Sequence, residues 1–283
     1  MTVIPDAAPV PYVTDVDADV ATKAVREFGA RVSAMLRAVR HPSAPALGSW
    51  DLTDVAVHLS HAVDGVKTMA RGSGSILTDL WELPGFLETL VSGEEERDLA
   101  ALADRIEASV AEFLAVVAAA RSSGEADRAW LVEGTRMPLA TLLCHVLNEL
   151  VVHGGDIAKA EGVPWPVSAQ EASLVLRGFL FPVVAAMGRA MVDQKAAAGL
   201  RANFEIRLRG GGRAYFGFDD GDLRVTATAP RRVHCHLSVD PNAFMLVAWG
   251  RRSQWSGIAR GQLVAWGRRP WLGVRLRPLM RNP

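Results

Sequence analysis

The residues best suited to chemistry lie in one helical run, which contains His145, Glu149, His153 and Asp156. Because helical residues advance about 100° each around the axis, these four side chains fall within a sector about 80° wide. Leucines and valines of the same run share this side, so the sector is expected to face the core. Burying a carboxylate beside imidazoles is costly unless a bound ion compensates it. The Glu-x-x-x-His spacing therefore predicts two metal ligands from successive turns of one helix.

A third ligand is expected from another helix, which begins near Asp51. His58 lies at the edge of the apolar stripe of that helix, whereas His61 falls about 60° further out, so His58 is the better candidate. Three protein ligands with an open fourth position are the pattern of catalytic zinc sites. Asp156 is expected to orient a ligating histidine through a hydrogen bond.

The remaining candidates leave several roles open. His145 could be a fourth ligand, although a hydrogen-bonding neighbour of the ligands or an ordinary helix residue is favoured. His234 and His236 share one face of a predicted strand and could form a metal pair, but a half-exposed strand is the simpler interpretation. No nearby basic group marks Cys144 or Cys235 as a nucleophile. The Glu-x-x-x-His spacing itself also arises by chance on amphipathic helices, where a histidine often only finds a hydrogen bond.

The elements that must position these residues are helices in the first part of the chain. Apolar spacing predicts four long helices, at 17–40, 51–71, 97–122 and 138–161. A long loop is expected at 72–97, between the second and third helices. Four long helices joined by loops predict a bundle, in which the histidine-bearing helices can face each other.

The pattern changes in the second part of the chain. A fifth helix is expected at 168–197, opened by a Ser168–Glu171 capping box. Alternating residues then predict strands, followed by a short helix; the expected bounds are 204–209, 213–218, 223–228 and 233–239 for the strands and 241–249 for the helix. The sequence therefore predicts an α+β protein: a helical bundle at 1–163 and a smaller domain with a mainly antiparallel sheet at 164–283.

Composition narrows the class of protein. The chain has 283 residues, 49% hydrophobic and 22% charged, as expected for a soluble protein of about two domains. We find no uninterrupted apolar run of transmembrane length, and the N-terminal residues lack the basic leader and apolar core of a secretory signal. Two cysteines cannot form a disulfide framework. We therefore expect a cytoplasmic protein that does not use a membrane.

The charges are distributed unevenly. The formal net charge is zero, but residues 1–200 carry −10 and residues 201–283 carry +10, and every base in the second segment is arginine. Such a split can mark a nucleic-acid surface, a basic domain docked on an acidic one, or arginines that receive an anionic substrate. Aromatic residues do not alternate with the arginines as a base-stacking surface requires, so nucleic-acid binding is not expected.

Two motifs give a family resemblance. Trp50-Asp-Leu-Thr-Asp-Val-Ala-Val-His58-Leu, followed later by Glu149-Leu-Val-Val-His153-Gly-Gly-Asp156, resembles the mycothiol-dependent maleylpyruvate isomerase family. Weaker correspondences continue through the second half of the chain, at 204–208, 219–223, 246–251 and 261–267. The resemblance implies a DinB-like metal-binding four-helix bundle, followed by a domain similar to the sterol-carrier-protein fold.

The resemblance also implies a chemistry. In that family the residues matching His58, Glu149 and His153 bind a divalent metal, usually zinc, which holds the thiol of mycothiol, a low-molecular-weight thiol of actinobacteria. Zinc lowers the pKa of a bound thiol, and the thiolate adds to the conjugated double bond of maleylpyruvate. Rotation and elimination then give fumarylpyruvate, whereas addition without elimination is an S-transfer. An arginine after glycine is thought to hold the substrate carboxylate; Arg251 is the best match and Arg252 follows it directly.

The family is broad, so the substrate stays open. The first hypothesis is a monomeric zinc-dependent isomerase or S-transferase that acts on a small anionic or electrophilic molecule. The second is a small-molecule or lipid carrier with a structural or vestigial metal site, in which tryptophans of the C-terminal domain line a pocket or fill the core. The third is a zinc-dependent hydrolase, in which a zinc-bound water replaces the thiol.

Overall fold

The computed structural model describes Tyr12, residues 16–124 and residues 127–281. The chain divides into two compact units: Val16–Phe179, and Tyr12 with the described residues from Leu180 onward. The first unit is helical, and the second contains a five-stranded sheet. The predicted α+β fold with a mainly antiparallel C-terminal sheet is therefore confirmed. The N-terminal residues that bear on a secretory signal lie almost entirely outside the described part of the chain.

The first unit contains long helices close to the predicted bounds. Its helices are α1 (Ala18–Arg37), α2 (Leu52–Ala70), α3 (Leu83–Gly93), α4 (Leu99–Ser122), α5 (Leu139–Glu161) and α6 (Ala169–Val175). Two short antiparallel pairs precede α2 and α5: β1 (Pro45–Leu47) with β2 (Trp50–Asp51), and β3 (Asp127–Ala129) with β4 (Arg136–Pro138). Helices α1, α2, α4 and α5 pack against one another and form the core of the unit.

Helix α5 is the central helix of this bundle. The sequence places Thr141, Cys144 and Asn148 on the side away from the core, but all three are at most 2% exposed. This expectation was wrong because α5 packs against α1 and α2 and also contacts α6. A helix covered by neighbours on several sides buries its polar residues together with its apolar ones.

The segment expected to be a long loop is partly helical. A 3-10 turn (Leu80–Glu82) leads directly into α3, within the predicted loop 72–97. The Asp79 side chain accepts a hydrogen bond from the backbone N–H of Trp81. Pro84 occupies the first turn of α3, where a missing N–H costs nothing. Proline and glycine read as loop residues in the sequence, but here the proline starts a helix.

The boundary between the units lies later than the predicted 163/164. Residues 164–179 belong to the first unit, because Trp165 anchors the turn after α5. Its indole Nε1 donates a 2.9 Å hydrogen bond to the backbone oxygen of Val151. Its ring centroid lies 5.5 Å from that of Phe28 on α1, in an edge-to-face arrangement. Aromatic contacts of this kind fix the residues after α5 to the bundle.

The predicted helix 168–197 is shorter and irregular. After α6 follow a π turn (Leu176–Leu180), α7 (Phe181–Met187) and a 3-10 turn (Gly188–Met191), so the expectation for 192–197 was wrong. Gly188 has φ 47°, which ends α7. The stretch Ala169–Met191 has the length and composition to cross a membrane. However, 56% of its most apolar 18-residue segment is buried inside the protein. Burial of this extent is typical of a core helix.

The second unit is built on one sheet. Its strands, in chain order, are β5 (Arg201–Leu208), β6 (Arg213–Asp219), β7 (Asp222–Thr226), β8 (Cys235–Val239) and β9 (Leu263–Trp266), with spatial order β7-β6-β5-β8-β9. The β5–β8 pair is parallel and the other pairs are antiparallel. Helices α8 (Pro241–Ala248) and α9 (Gln254–Ala259) precede β9. A 3-10 turn (Pro270–Arg275) and α10 (Leu276–Leu279) follow it.

The two faces of the sheet differ in polarity. Phe204 and Ile206 of β5 lie in the apolar core, whereas Glu205 lies on the other face, in register with Tyr215 and His236. Glu205 is only 2% exposed. Burial raises the pKa of this carboxyl, but hydrogen bonds from Arg207 and His236 outweigh it, and the net pKa is lowered. The ionised carboxylate of Glu205 is thus stabilised by the polar side chains of Arg207 and His236.

Candidate metal centre

The two helices that carry the predicted ligands begin and end at defined residues. Asp51 and Asp54 form a capping box at the start of α2, which places His58 two turns into the helix. Helix α5 begins directly after Pro138 and ends at Gly162, whose φ of 70° favours glycine. Because α2 packs against α5, the buried side chain of His58 reaches the residues of α5.

His58, Glu149 and His153 form a triangle of donor atoms. The two histidine Nε2 atoms lie 3.2 Å apart, and Oε2 of Glu149 lies 3.4 Å from Nε2 of His58 and 3.5 Å from that of His153. Tetrahedral zinc with ligand bonds of about 2.0–2.2 Å needs donor atoms about 3.3–3.6 Å apart. Among the residues that the structure describes, this is the one cluster of three His, Cys, Asp or Glu side chains with metal-binding geometry. The donor set therefore fits a divalent metal such as zinc.

Hydrogen bonds prepare the imidazoles to bind a cation. Nδ1 of His153 lies 3.1 Å from Oδ2 of Asp156, whose carboxylate accepts the Nδ1–H. Nε2 of His153 therefore presents its lone pair to His58 and Glu149. Nδ1 of His58 is buried with no hydrogen-bond partner among the described residues. A cation held between the two Nε2 atoms would be coordinated by both imidazoles.

The protonation states also suit metal binding. Burial lowers the pKa of His58, and the neighbouring His153 lowers it further, so this imidazole is neutral at pH 7. Burial raises the pKa of Glu149, but hydrogen bonds from His145 and His58 outweigh it and hold the pKa well below the usual range. A neutral imidazole and an ionised carboxylate are the forms that coordinate metals.

The second oxygen of Glu149 has its own partners. Oε1 accepts a 3.1 Å hydrogen bond from Nδ2 of Asn148, and Nε2 of His145 lies 3.5 Å away. The His145 ring stacks on Phe179, with centroids 4.3 Å apart and planes within 8°. His145 therefore lies beside the ligand cluster and contacts Glu149 without belonging to the triangle. The helical wheel indicated His145 but missed Asn148, because Asn148 falls outside the sector shared by the four ionisable side chains.

An aromatic contact that sequence spacing did not assign supports His58. The Trp50 ring lies over it, with centroids 5.3 Å apart, and Nε1 of Trp50 donates to Oε2 of Glu88 at 2.9 Å. In the sequence, Trp50 is indicated only by the family motif. Glu88 lies in α3, inside the predicted loop, so no sequence signal pointed to this contact.

His61 has a different environment from His58. Nε2 of His61 lies 2.9 Å from Oε2 of Glu94, and the same oxygen lies 2.7 Å from Nη2 of Arg105. Arg105 also donates through Nε to the hydroxyl of Ser60 at 2.6 Å. His61 is therefore part of a partly buried network around Glu94 and not of the triangle, in agreement with the preference for His58 from the helical wheel.

The other candidates lie in the second unit. Arg251 and Arg252 follow Gly250 in the turn between α8 and α9, and Nη1 of Arg251 donates to the backbone oxygen of Trp249 at 2.9 Å. Nδ1 of His236 contacts Glu205, whereas Nδ1 of His234 accepts the backbone N–H of Asn203 at 3.0 Å. The two histidines thus have separate partners, and only His236 lies within β8, because the strand begins at Cys235.

The chain was compared with known proteins. The family profile described as the mycothiol maleylpyruvate isomerase N-terminal domain matches residues 18–158. A crystal structure of a mycothiol-dependent maleylpyruvate isomerase and a histidine-to-alanine variant of it both match with TM-score 0.53 and 14% identity, over 89% of this chain and 93% of theirs. Such low identity establishes a shared fold alone. No curated protein matches the sequence.

The matched profile spans α1 to α5 nearly completely and includes every member of the donor triangle. The structural match covers 89% of this chain, which is more than the helical unit alone. The profile match shows that this chain belongs to the mycothiol-dependent maleylpyruvate isomerase family.

Proposed function

We propose that this protein is a divalent-metal-dependent enzyme that activates mycothiol as a nucleophile. The observation that carries this proposal is the spacing of the three donor atoms of His58, Glu149 and His153, which lie 3.2–3.5 Å apart. Zinc fits best, because two imidazoles and one carboxylate leave a fourth tetrahedral position open for a thiol. Family membership supports mycothiol as the thiol, and the donor set supports a divalent metal such as zinc.

The residues around the triangle have defined tasks in this proposal. Asp156 holds the His153 ring with Nε2 directed at the metal, and His145 and Asn148 hold the carboxylate of Glu149. When bound, the metal lowers the pKa of the mycothiol thiol, which supplies a thiolate at neutral pH for addition to an electrophilic carbon. The side chain of Trp50 covers one face of His58 and reduces the access of water.

The reaction class follows from a thiolate nucleophile. Cis–trans isomerisation of a maleylpyruvate-like substrate and S-transfer to an electrophile share the same addition step. They differ only in whether the thiol is eliminated. We propose a small anionic electrophile as substrate, with Arg251 binding its carboxylate, and Arg252 as the neighbouring alternative. A guanidinium matches a carboxylate through paired N–H donors. We propose that the protein works as a cytoplasmic monomer without nucleic-acid partners.

Metal content is the first test. Purified wild-type protein should contain close to one metal ion per chain by elemental analysis, and Glu149→Gln should lose it. Glu107→Gln is the matched control, because Glu107 pairs with Arg37 on the surface of the bundle. A wild-type protein that stays metal-free after incubation with zinc would contradict the proposal, as would a Glu149→Gln variant that retains the metal.

Thiol dependence is the second test. The metal-loaded enzyme should convert maleylpyruvate, or form an adduct with a related electrophile, only when mycothiol is present. Chromatography of the products separates the trans isomer from an S-conjugate and so distinguishes isomerase from S-transferase. Turnover that needs metal but no thiol would support a hydrolase instead.

A further inference from the structure

Four exposed arginines meet at one end of the sheet of the second unit. Arg231 and Arg232 lie in the loop before β8, and Arg268 and Arg269 lie in the turn after β9. Because β8 and β9 are antiparallel, the start of β8 lies beside the end of β9. The backbone N–H of Arg269 donates to the carbonyl of His234 at 2.9 Å, which ties the turn to the loop. The fold thus brings together two arginine pairs that are distant in sequence, and these four residues are called the arginine cluster.

The arginine cluster lacks an acidic partner. Other arginines of the same sheet pair with carboxylates, such as Arg201 with Asp219 and Arg207 with Glu205. The four guanidinium groups of the cluster form no ion pair or hydrogen bond with any residue that the structure describes, and residues 223–239 and 241–283 contain no aspartate or glutamate. Like charges held together repel each other, so a bound anion would relieve the repulsion.

His234 adds a directed hydrogen-bond donor to the cluster. Its Nδ1 accepts the backbone N–H of Asn203 at 3.0 Å, so the neutral ring carries its proton on Nε2. Burial lowers the pKa of His234, and the charges of Arg269, Arg232 and Arg268 lower it further, so the ring is neutral at pH 7. Three guanidinium groups therefore lie within electrostatic reach of the ring. Within the described parts of the chain, no acceptor is bonded to its Nε2–H.

The backbone around His234 is fixed. Its N–H donates to the carbonyl of Asn203 at 2.8 Å, and Nδ2 of Asn203 donates to the carbonyl of Arg232 at 2.8 Å. The turn after β9 approaches the same loop closely, because a Cβ on Gly267 would lie 3.2 Å from the carbonyl oxygen of His234. A site whose backbone is already ordered loses little entropy when a ligand binds.

From this arrangement we infer that the arginine cluster and His234 bind a dianionic phosphate group of a small soluble molecule. Guanidinium groups match phosphate oxygens through paired N–H donors, and the Nε2–H of His234 supplies a further donor. A carboxylate offers two oxygens and one charge, whereas a phosphate monoester offers three terminal oxygens and two charges, so phosphate suits several guanidinium groups better. All of these residues belong to the second unit, so the inference goes beyond the proposed thiol chemistry and does not depend on it.

Titration calorimetry on the full-length protein tests the inference. The protein is first freed of metal by dialysis, so that zinc cannot bind the anion. At about pH 8, where a phosphate monoester is doubly charged, phenyl phosphate should bind at least about tenfold more tightly than benzoate. The affinity should fall as salt is raised from about 20 mM to about 200 mM, because the cluster is exposed. Absence of phenyl phosphate binding at low salt, or equal affinity for benzoate, would overturn the inference.

Single substitutions locate the ligand. Arg232→Gln and Arg269→Gln should each weaken phenyl phosphate binding by about tenfold, because each removes a charged donor. His234→Asn keeps an oxygen for the N–H of Asn203 but removes the donor at Nε2, and should weaken binding by about fivefold. Arg224→Gln is the matched control, because Arg224 is exposed on β7, three strands away from β8. Equal losses in Arg224→Gln and Arg269→Gln would indicate attraction to the basic unit as a whole and would overturn the site.

Vesicles distinguish a soluble phosphate from a lipid head group. The protein should not sediment with phosphatidylcholine vesicles, whether or not they contain phosphatidate. Sedimentation that needs phosphatidate and is lost in Arg269→Gln would support the phosphate site but would overturn its assignment to a soluble ligand.

The titrations also separate this inference from the proposed function. Glu149→Gln should bind phenyl phosphate as tightly as metal-free wild type does. Failure of the metal tests with intact phenyl phosphate binding would remove only the proposed enzyme. Intact zinc binding without phenyl phosphate binding would remove only the phosphate site.

Discussion

Oδ2 of Asp156 lies 3.1 Å from Nδ1 of His153, on the same face of α5. The separation of three residues places the carboxylate directly beside the ring, so the helix itself sets this distance. The hydrogen bond selects the tautomer in which Nε2 can bind a cation. It also adds electron density to the ring, which strengthens a metal bond.

Asp156→Asn should therefore weaken metal binding without unfolding the protein. Loss of a carboxylate that orients a ligating histidine lowers metal affinity by about 10–100-fold. Competition with a chromogenic chelator measures the affinity. Asp104→Asn is the control, since Asp104 is an exposed residue of α4 that pairs with Arg37 of α1. Equal zinc affinity in Asp156→Asn and wild type would show that the hydrogen bond has no orienting role.

The two histidines of α2 should respond differently to alanine. His58→Ala removes one corner of the donor triangle and should abolish stoichiometric zinc binding. His61→Ala should retain one zinc per chain, because His61 pairs with Glu94 and not with the triangle. Elemental analysis after dialysis decides the question. Similar metal content in the two variants would argue against the assignment of His58.

Two glycines should show opposite effects on stability. A Cβ on Gly154 of α5 would clash with Cζ2 of Trp165, so Gly154→Ala should lower the free energy of unfolding by about 1–3 kcal/mol. A Cβ on Gly65 of α2 meets nothing within 4 Å, so Gly65→Ala should raise it by about 0.5–1 kcal/mol. Urea unfolding of metal-free protein measures both. An unchanged Gly154→Ala would mean that Trp165 does not pack there.

The Glu94 network predicts a pH-dependent contribution to stability. A hydrogen bond from Arg105 and one from the backbone of Glu96 lower the pKa of Glu94 to about 2. The ordinary value is 4.5, so the ion pair stabilises the fold above about pH 4.5 and this stability is lost as the pH falls towards 2.

Glu94→Gln should lower the free energy of unfolding by about 1 kcal/mol at pH 7 and by progressively less below pH 4.5. Glu95→Gln, at the exposed neighbouring position, should have little effect at either pH. Denaturant unfolding across this pH range provides the measurement. A Glu94→Gln effect that persists unchanged at low pH would show that ionisation of this group is not responsible.

Periodicity in the sequence predicted the long helices and the donor triangle. The period of 3.6 residues fixes which side chains of α2 and of α5 share a face, so the sequence alone favours His58 over His61. The alternation of β5 to β8 likewise predicted the sheet. These features depend on local spacing and on the burial of apolar residues, both of which the sequence records directly.

Features that depend on distant partners escaped prediction. Trp165 fixes residues 164–179 to the helical unit through contacts with Phe28 and Val151, and no local pattern indicates these. The hydrogen bond from Trp50 to Glu88 depends on α3. The proline and glycine of that segment had indicated a loop, so the helix was not predicted. The parallel pairing of β5 with β8 also depends on a long connection. Tertiary contacts decide such cases over local propensity.

The buried carboxylate on the outer face of the sheet has a consequence for how the sheet assembles. Neighbouring residues of a strand point to opposite faces, so a slip of one residue along β5 would exchange Glu205 with Phe204 or Ile206. The charge would then enter the apolar core, away from His236 of the neighbouring strand β8. Glu205 thus helps to specify the register of β5. The observed pairing with the neighbouring strands is favoured, and pairings shifted by one residue are destabilised.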